Sequence, residues 1–132
     1  YHVRNSHASL TLATDLGVLT DEAVHFLKSA TTIVLESNYD EDLLQKGFYP
    51  PYLKQRIRSH QGHLSNADVA AFLQQHFHSG IQQIFLCHLS QHNNHPELAR
   101  QCAIDALNGC TPDAAKMVTV LPRGQRSPLF HL

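Results

Sequence analysis

Three apolar stretches of this chain stop on a residue able to bind a metal or move a proton. "LTLATD" ends on Asp15, "TIVLE" on Glu36 and "IFLCH" on His88. A carboxylate or imidazole that follows several apolar residues is costly if the stretch simply continues into a core, so these positions ask for a function. His63 joins them, set between Gly62, where the missing side chain lets backbone approach closely, and a helix-like segment opening at Ser65. Aspartate with histidine is the ligand mix of zinc, manganese or iron centres rather than of calcium. Simpler roles stand beside this one. Asp15 suits a turn that bonds its own backbone, Glu36 suits a cap for the segment after it, and His88 suits a donor to a carbonyl. "HNNH", His92 to His95, suits a polar loop with a helix cap. The joint placement at strand ends, rather than any single residue, points to metal or acid–base chemistry.

The elements that must position these residues alternate between strand and helix patterns. "SLTLATD" reads as a strand turning at Gly17, and "TDEAVHFLKSA" as a helix with Thr20 as N-cap, acids in its first turn, and Leu19, Val24 and Leu27 on one face. "TTIVLE" is a β-branched strand, followed by the turn-like "SNYDED" and a short helix ending near Gly47. Pro50 and Pro51 break any helix, after which "YLKQRIRSH" resumes as a polar amphipathic segment. "LSNADVAAFLQQHF" opens with Ser65 and Asp68 at capping-box spacing and carries Val69, Phe72 and Leu73 on one stripe. "IQQIFLCH" is a strand, "HPELARQCAIDALNG" a helix with Pro96 at its first position and Gly109 as its stop, and "MVTVL" a strand. "PLFHL" suits a last strand. This alternation predicts an α/β layered sheet, the architecture that places its chemistry just outside the carboxyl ends of strands. With no low-complexity linker or repeat, residues 1–132 read as a single domain.

Composition excludes several classes. The chain has 132 residues, 42% of them hydrophobic, enough for one compact core. A formal charge of -1 leaves no basic surplus for general phosphate binding, so a nucleic-acid partner must be held by a local patch or a metal. No apolar run approaches the roughly 18 residues that span a bilayer, and the start lacks a signal-peptide layout, so no membrane partner is expected. Cys87, Cys102 and Cys110 form no CxxC pair and sit in or beside apolar segments, which suits buried reduced thiols and a cytoplasmic protein. Histidine is the unusual count, 11 against 10 lysines and arginines together. His25, His76 and His78 fall in helical patterns and His2 and His131 near the chain ends, where an imidazole needs no special explanation.

"ATDLG", "VLESNYD", "QGHLSNADVA" and "CHLSQHNNHPELA", in this order, resemble the C-terminal half of metallo-β-lactamase fold hydrolases. The similarity is greatest to the WalJ/YycJ-type exonuclease branch and more distant to tRNase Z. It runs from about Thr11 to Leu121. The resemblance implies half of an αββα sandwich and a two-metal site, zinc or manganese, acting on a phosphodiester, with DNA ahead of RNA as partner. Asp15 then corresponds to the aspartate bridging two ions and His88 to the last metal-binding histidine. His63 corresponds to the histidine that assists the leaving group and Glu36 to the carboxylate that orients it. Polar residues of the same motifs, Asn38, Ser65, Ser90 and Asn93, become candidate substrate contacts. His7 is the candidate to stand in for an intermediate histidine ligand. The chain departs from the pattern in having Tyr39 where the family has histidine. It also lacks the HxHxDH signature that supplies most ligands, so its own ligand set is incomplete.

Two functions therefore follow from the sequence. The chain is half of a metal-dependent nuclease that works with a missing N-terminal half or a homo-oligomeric partner, or it is a non-catalytic half-domain serving binding or assembly. A metallo-hydrolase of a small ester or phosphodiester is a variant of the first.

Overall fold

The computed structural model describes residues 1–130. Five strands form one sheet in the order β1-β2-β3-β4-β5: β1 His2–Arg4, β2 Ser9–Ala13, β3 Thr32–Glu36, β4 Gln83–Cys87 and β5 Val118–Val120. Strands β2 to β5 run parallel in sequence order, while β1 pairs antiparallel with β2 at the edge. The helices are α1 Asp21–Ser29, α2 Glu41–Lys46, α3 Pro51–Ile57, α4 Asn66–His76, α5 Pro96–Leu107 and α6 Ala114–Met117. This is a mixed α/β sheet compatible with half of a metallo-β-lactamase-type sandwich.

Local chemistry sets the boundaries. The Thr20 side chain accepts from the Ala23 N–H at the start of α1, and Asp40 does the same for Leu43 at α2. Ser65 and Asp68 close a full capping box on α4. Pro96 opens α5, and Gly109 follows its end with a φ of 91°, a left-handed conformation that glycine adopts without strain.

The register puts Ile33 and Leu35 beside Ile84 and Leu86, and this face is covered by Leu27 of α1, Val69, Phe72 and Leu73 of α4, and Ala99, Ala103 and Leu107 of α5. Alternation along the strands places Leu10, Leu12, Val34 and Phe85 on the other face. Leu10 and Leu12 remain half-buried, and the Phe130 ring packs on Phe85 with centroids 4.5 Å apart.

Two elements appear that the sequence did not announce, and one expected strand is absent among the described residues. Strand β1 is too short and polar to show an alternation, and it exists because its backbone completes the β2 edge. The helix α6 arises from a single turn before β5. Residues 128–130 are not a strand, since Phe130 is used for packing, and the remainder of "PLFHL", with His131, lies outside the described residues. No helix among the described residues is long and apolar enough to cross a membrane.

Candidate metal centre

The parallel strands deliver their carboxyl ends to one edge, and Glu36 closes β3 there with no exposed surface. Its two oxygens accept five N–H groups. Oε1 receives the backbone amides of Leu16 and Leu64, both at 2.9 Å. Oε2 receives the Asp15 amide at 3.0 Å, His88 Nδ1 at 2.8 Å and His63 Nδ1 at 3.3 Å. A carboxylate can be buried only when its lone pairs are met in this way. Because a carboxylate accepts, both imidazoles offer it Nδ1–H, which leaves each Nε2 for work outside the pair, on a metal or on a proton. Glu36 therefore does not cap the segment that follows it.

Asp15 and His88 leave their strands through left-handed backbone, with φ of 57° and 55°. Such conformations in residues with a Cβ are uncommon and concentrate at functional sites. The bends turn both side chains out of the strand direction, and His88 Nε2 lies 3.9 Å from Asp15 Oδ1. His63 reaches the same place from the loop before α4. Gly62 is required there, since a Cβ would lie 2.0 Å from the Ile57 carbonyl oxygen. The His63 and His88 rings meet edge to face with centroids 5.1 Å apart.

One ligand atom each from Asp15, His63 and His88 falls within 4.8 Å of the others. Two imidazole nitrogens and a carboxylate oxygen suit zinc or manganese. Asp15 is exposed and His63 half-buried, so the cluster faces outward while Glu36 supports it from behind.

His7 does not join the cluster. It lies in the turn before β2, where Asn5 Oδ1 accepts its backbone N–H, whereas Asp15 lies beyond the other end of that strand. The two are separated by the length of the strand, and no short connection folds His7 back.

The four candidate substrate contacts bond internally in the free chain. Asn38 donates to the His88 carbonyl at 2.8 Å, and Ser65 is engaged in its capping box. Asn93 is buried, its amide directed at Ser90 Oγ at 3.4 Å, and Ser90 itself is half-buried. Sequence reasoning missed a second buried group. Ser37 donates to Asn66 Oδ1, and Asn66 and Asn94 exchange amide hydrogen bonds at 2.8 and 3.0 Å. This network ties the loops after β3 and β4 to the start of α4. The signal for it was one asparagine opening α4 and another just ahead of α5, which also reads as ordinary helix-start chemistry.

Tyr39 is buried and pairs through its backbone with Ser65. Burial pushes its phenol up to about 12, helped by the charges of Asp68 and Glu41 and opposed by Arg58 and a hydrogen bond from Ser65. The Cys87 thiol is pushed up to about 11, first by burial and then by Glu36 and Asp15. All three cysteines are free, but Cys87 and Cys102 are half-buried rather than buried, and Cys110 is exposed, because it lies past the end of α5 rather than inside it.

No protein-family model matches the chain. Exodeoxyribonuclease YycJ of Bacillus anthracis is 37% identical over 107 residues, which are 81% of this chain and 40% of that protein. Exodeoxyribonuclease WalJ of Streptococcus pneumoniae serotype 2 is 36% identical over the same length and the same shares. The chain thus spans about 40% of the length of these curated relatives. Together with the sheet and the site at its carboxyl edge, these similarities set the chain among proteins of the metallo-β-lactamase fold. Within that superfamily its relatives are the WalJ/YycJ-type exodeoxyribonucleases.

Proposed function

We propose that this chain is one half of a metal-dependent phosphodiesterase that acts on nucleic acid, DNA rather than RNA, and that a second half completes its ligand set. The observation that carries this reading is the convergence of Asp15, His63 and His88 on one outward-facing point, braced by Glu36. Similarity to proteins named exodeoxyribonucleases supports the substrate class.

In this reading Asp15 and His88 hold the metal. Two divalent ions, when bound, supply an activated water and offset the charge of the attacked phosphate. His63 does the proton work. With Nδ1–H held by Glu36, its protonated Nε2 gives a proton to the departing oxygen as water attacks phosphorus and the P–O bond breaks. On the outer sheet face Val34 and Phe85 are already buried within this chain, and the half-buried Leu10 and Leu12 are the part that the second half covers.

The test begins with the coding sequence upstream of Tyr1, where an in-frame HxHxDH segment is expected. The protein expressed with that segment should release nucleotides from end-labelled DNA when supplied with zinc or manganese. Asp15→Ala should deplete bound metal, whereas His63→Ala should retain it while slowing cleavage by about 10²–10⁴. Equal metal loss in both variants would make His63 a ligand. Absence of DNA cleavage by the metal-loaded protein would leave the binding or assembly role.

A further inference from the structure

His88 stands in a conformation that has to be held. Its φ of 55° is unfavourable for a residue with a Cβ, and such a backbone persists only where the surroundings fix it from more than one side. Glu36 fixes the ring through the 2.8 Å bond to Nδ1. A different residue fixes the main chain. Asn38 donates from its side-chain Nδ2 to the His88 carbonyl at 2.8 Å, and its own carbonyl accepts the Ser90 N–H at 2.7 Å. It therefore grips the chain on both sides of Leu89, just past the bend.

The sheet explains why a side chain is used here. β3 and β4 pair as far as Glu36 opposite Cys87, and one further backbone bond follows, from the Ser37 N–H to the Cys87 carbonyl at 3.0 Å. The next N–H, that of Asn38, turns instead to the Leu64 carbonyl at 2.8 Å. It is thereby engaged with the loop that carries His63, and the side-chain amide of the same residue takes the His88 carbonyl. Residues 37–40 continue in this manner between the two loops, the Tyr39 carbonyl accepting the Asn66 N–H and the Asp40 N–H donating to the Asn93 carbonyl, at 2.8 and 2.7 Å.

One buried residue thus reaches both histidine loops, His88 itself through its side chain and the neighbour of His63 through its backbone. Glu36 also meets both histidines, but at the rings, where it sets their direction. The contacts of Asn38 act on the backbones from which those rings project, and so on the 5.1 Å between the ring centroids. An amide that recognised substrate would have to turn outward, and this one is occupied within the chain. We propose that Asn38 is a positioning residue of the candidate metal centre, setting the spacing of His63 and His88 rather than contacting substrate. The inference rests on the metal-centre reading for its purpose, whereas the spacing itself needs no ion.

The experiment has two parts, both made on the full chain. Without metal, two-dimensional NMR should show a cross-peak between the His63 and His88 ring protons. Asn38→Ala should lose it. Val69→Ala, a core change on α4, should lower the melting temperature and keep the cross-peak, which separates positioning from general stability. Cobalt(II) is then titrated and followed by its visible absorption. Asn38→Ala should bind it about 10–100-fold more weakly, the loss expected when a residue that orients a ligand is removed, and Val69→Ala should bind it as the wild type does. Should Asn38→Ala fail to fold, Asn38→Ser replaces it, with a polar group too short to reach the His88 carbonyl. A cross-peak missing from the wild type, or unchanged in a folded Asn38 variant, overturns the proposal, as does an unchanged cobalt affinity where the wild type binds the ion. Loss of the cross-peak in the variant, with no cobalt bound by the wild type, would keep the positioning role and overturn the metal reading of the cluster instead.

Discussion

Glu36 Oε2 lies 2.8 Å from His88 Nδ1 and 3.3 Å from His63 Nδ1, so the tighter partner of the buried carboxylate is the histidine on the neighbouring strand. β3 and β4 are paired one residue earlier, Glu36 opposite Cys87, and the bend at His88 returns its ring toward that carboxylate. One residue thereby sets the orientation of two imidazoles and also gathers the Asp15, Leu16 and Leu64 amides. Glu36 is a junction between three loops.

That junction makes Glu36→Gln a structural change. A side-chain amide has one acceptor oxygen, so its NH₂ group must oppose N–H donors that now meet a carboxylate. The expected loss of stability is about 3–5 kcal/mol, the range for breaking a buried charged cluster. Urea unfolding of the wild type and the variant measures it. A loss below about 1 kcal/mol would show that Glu36 only orients His63, as the sequence alone suggested.

The cysteines should differ in reactivity. Burial holds the Cys87 thiol near 11 and also raises Cys102, with Asp105 and Asp40 adding to the latter, while Cys110 is exposed. At pH 8 roughly one Cys87 in a thousand is thiolate. Iodoacetamide labelling followed by mass spectrometry should therefore find Cys110 modified first and Cys87 last. Equal labelling of the two would contradict the burial of Cys87.

Tyr39 gives the fold an alkaline limit. Its phenol is raised from the usual value near 10 to about 12 in the folded chain, chiefly by burial. Below 10 both folded and unfolded forms keep the proton, and the full stability is present. Between 10 and 12 the unfolded chain loses that proton first, so stability falls as pH rises. Tyr39→Phe should flatten this part of the curve in unfolding experiments at pH 9 and pH 11. Parallel declines in wild type and variant would assign the alkaline loss elsewhere.

Much of this architecture was legible because it rests on local rules. Thr20, Ser65 with Asp68, Pro96 and Gly109 each mark a helix boundary through hydrogen bonds or backbone limits that a few residues determine. The strand-end residues Asp15, Glu36 and His88 stood out because a polar group after an apolar run is expensive. What could not be read is the pairing across distance. Glu36 and His88 are 52 residues apart, and only the register of β3 on β4 decides that the shorter contact is with His88. The same holds for Asn66 and Asn94, whose exchange of amide hydrogen bonds needs three loops in place. His7, offered only through the family resemblance, lies at the other end of β2 from Asp15, a separation that the strand itself imposes.

The left-handed bends at Asp15 and His88 set durability against chemistry. Holding a residue with a Cβ in that region costs on the order of 1–3 kcal/mol, more than the roughly 0.5–1 kcal/mol lost to the extra freedom of glycine. Glycine in place of Asp15, which meets Glu36 only through its backbone N–H, would therefore make a sturdier chain with a poorer cluster, whereas glycine in place of His88 would also strip the buried carboxylate of its 2.8 Å donor. Selection of this protein for heat resistance alone should find the Asp15 corner early, and would harvest hardiness by dismantling the cluster of Asp15, His63 and His88.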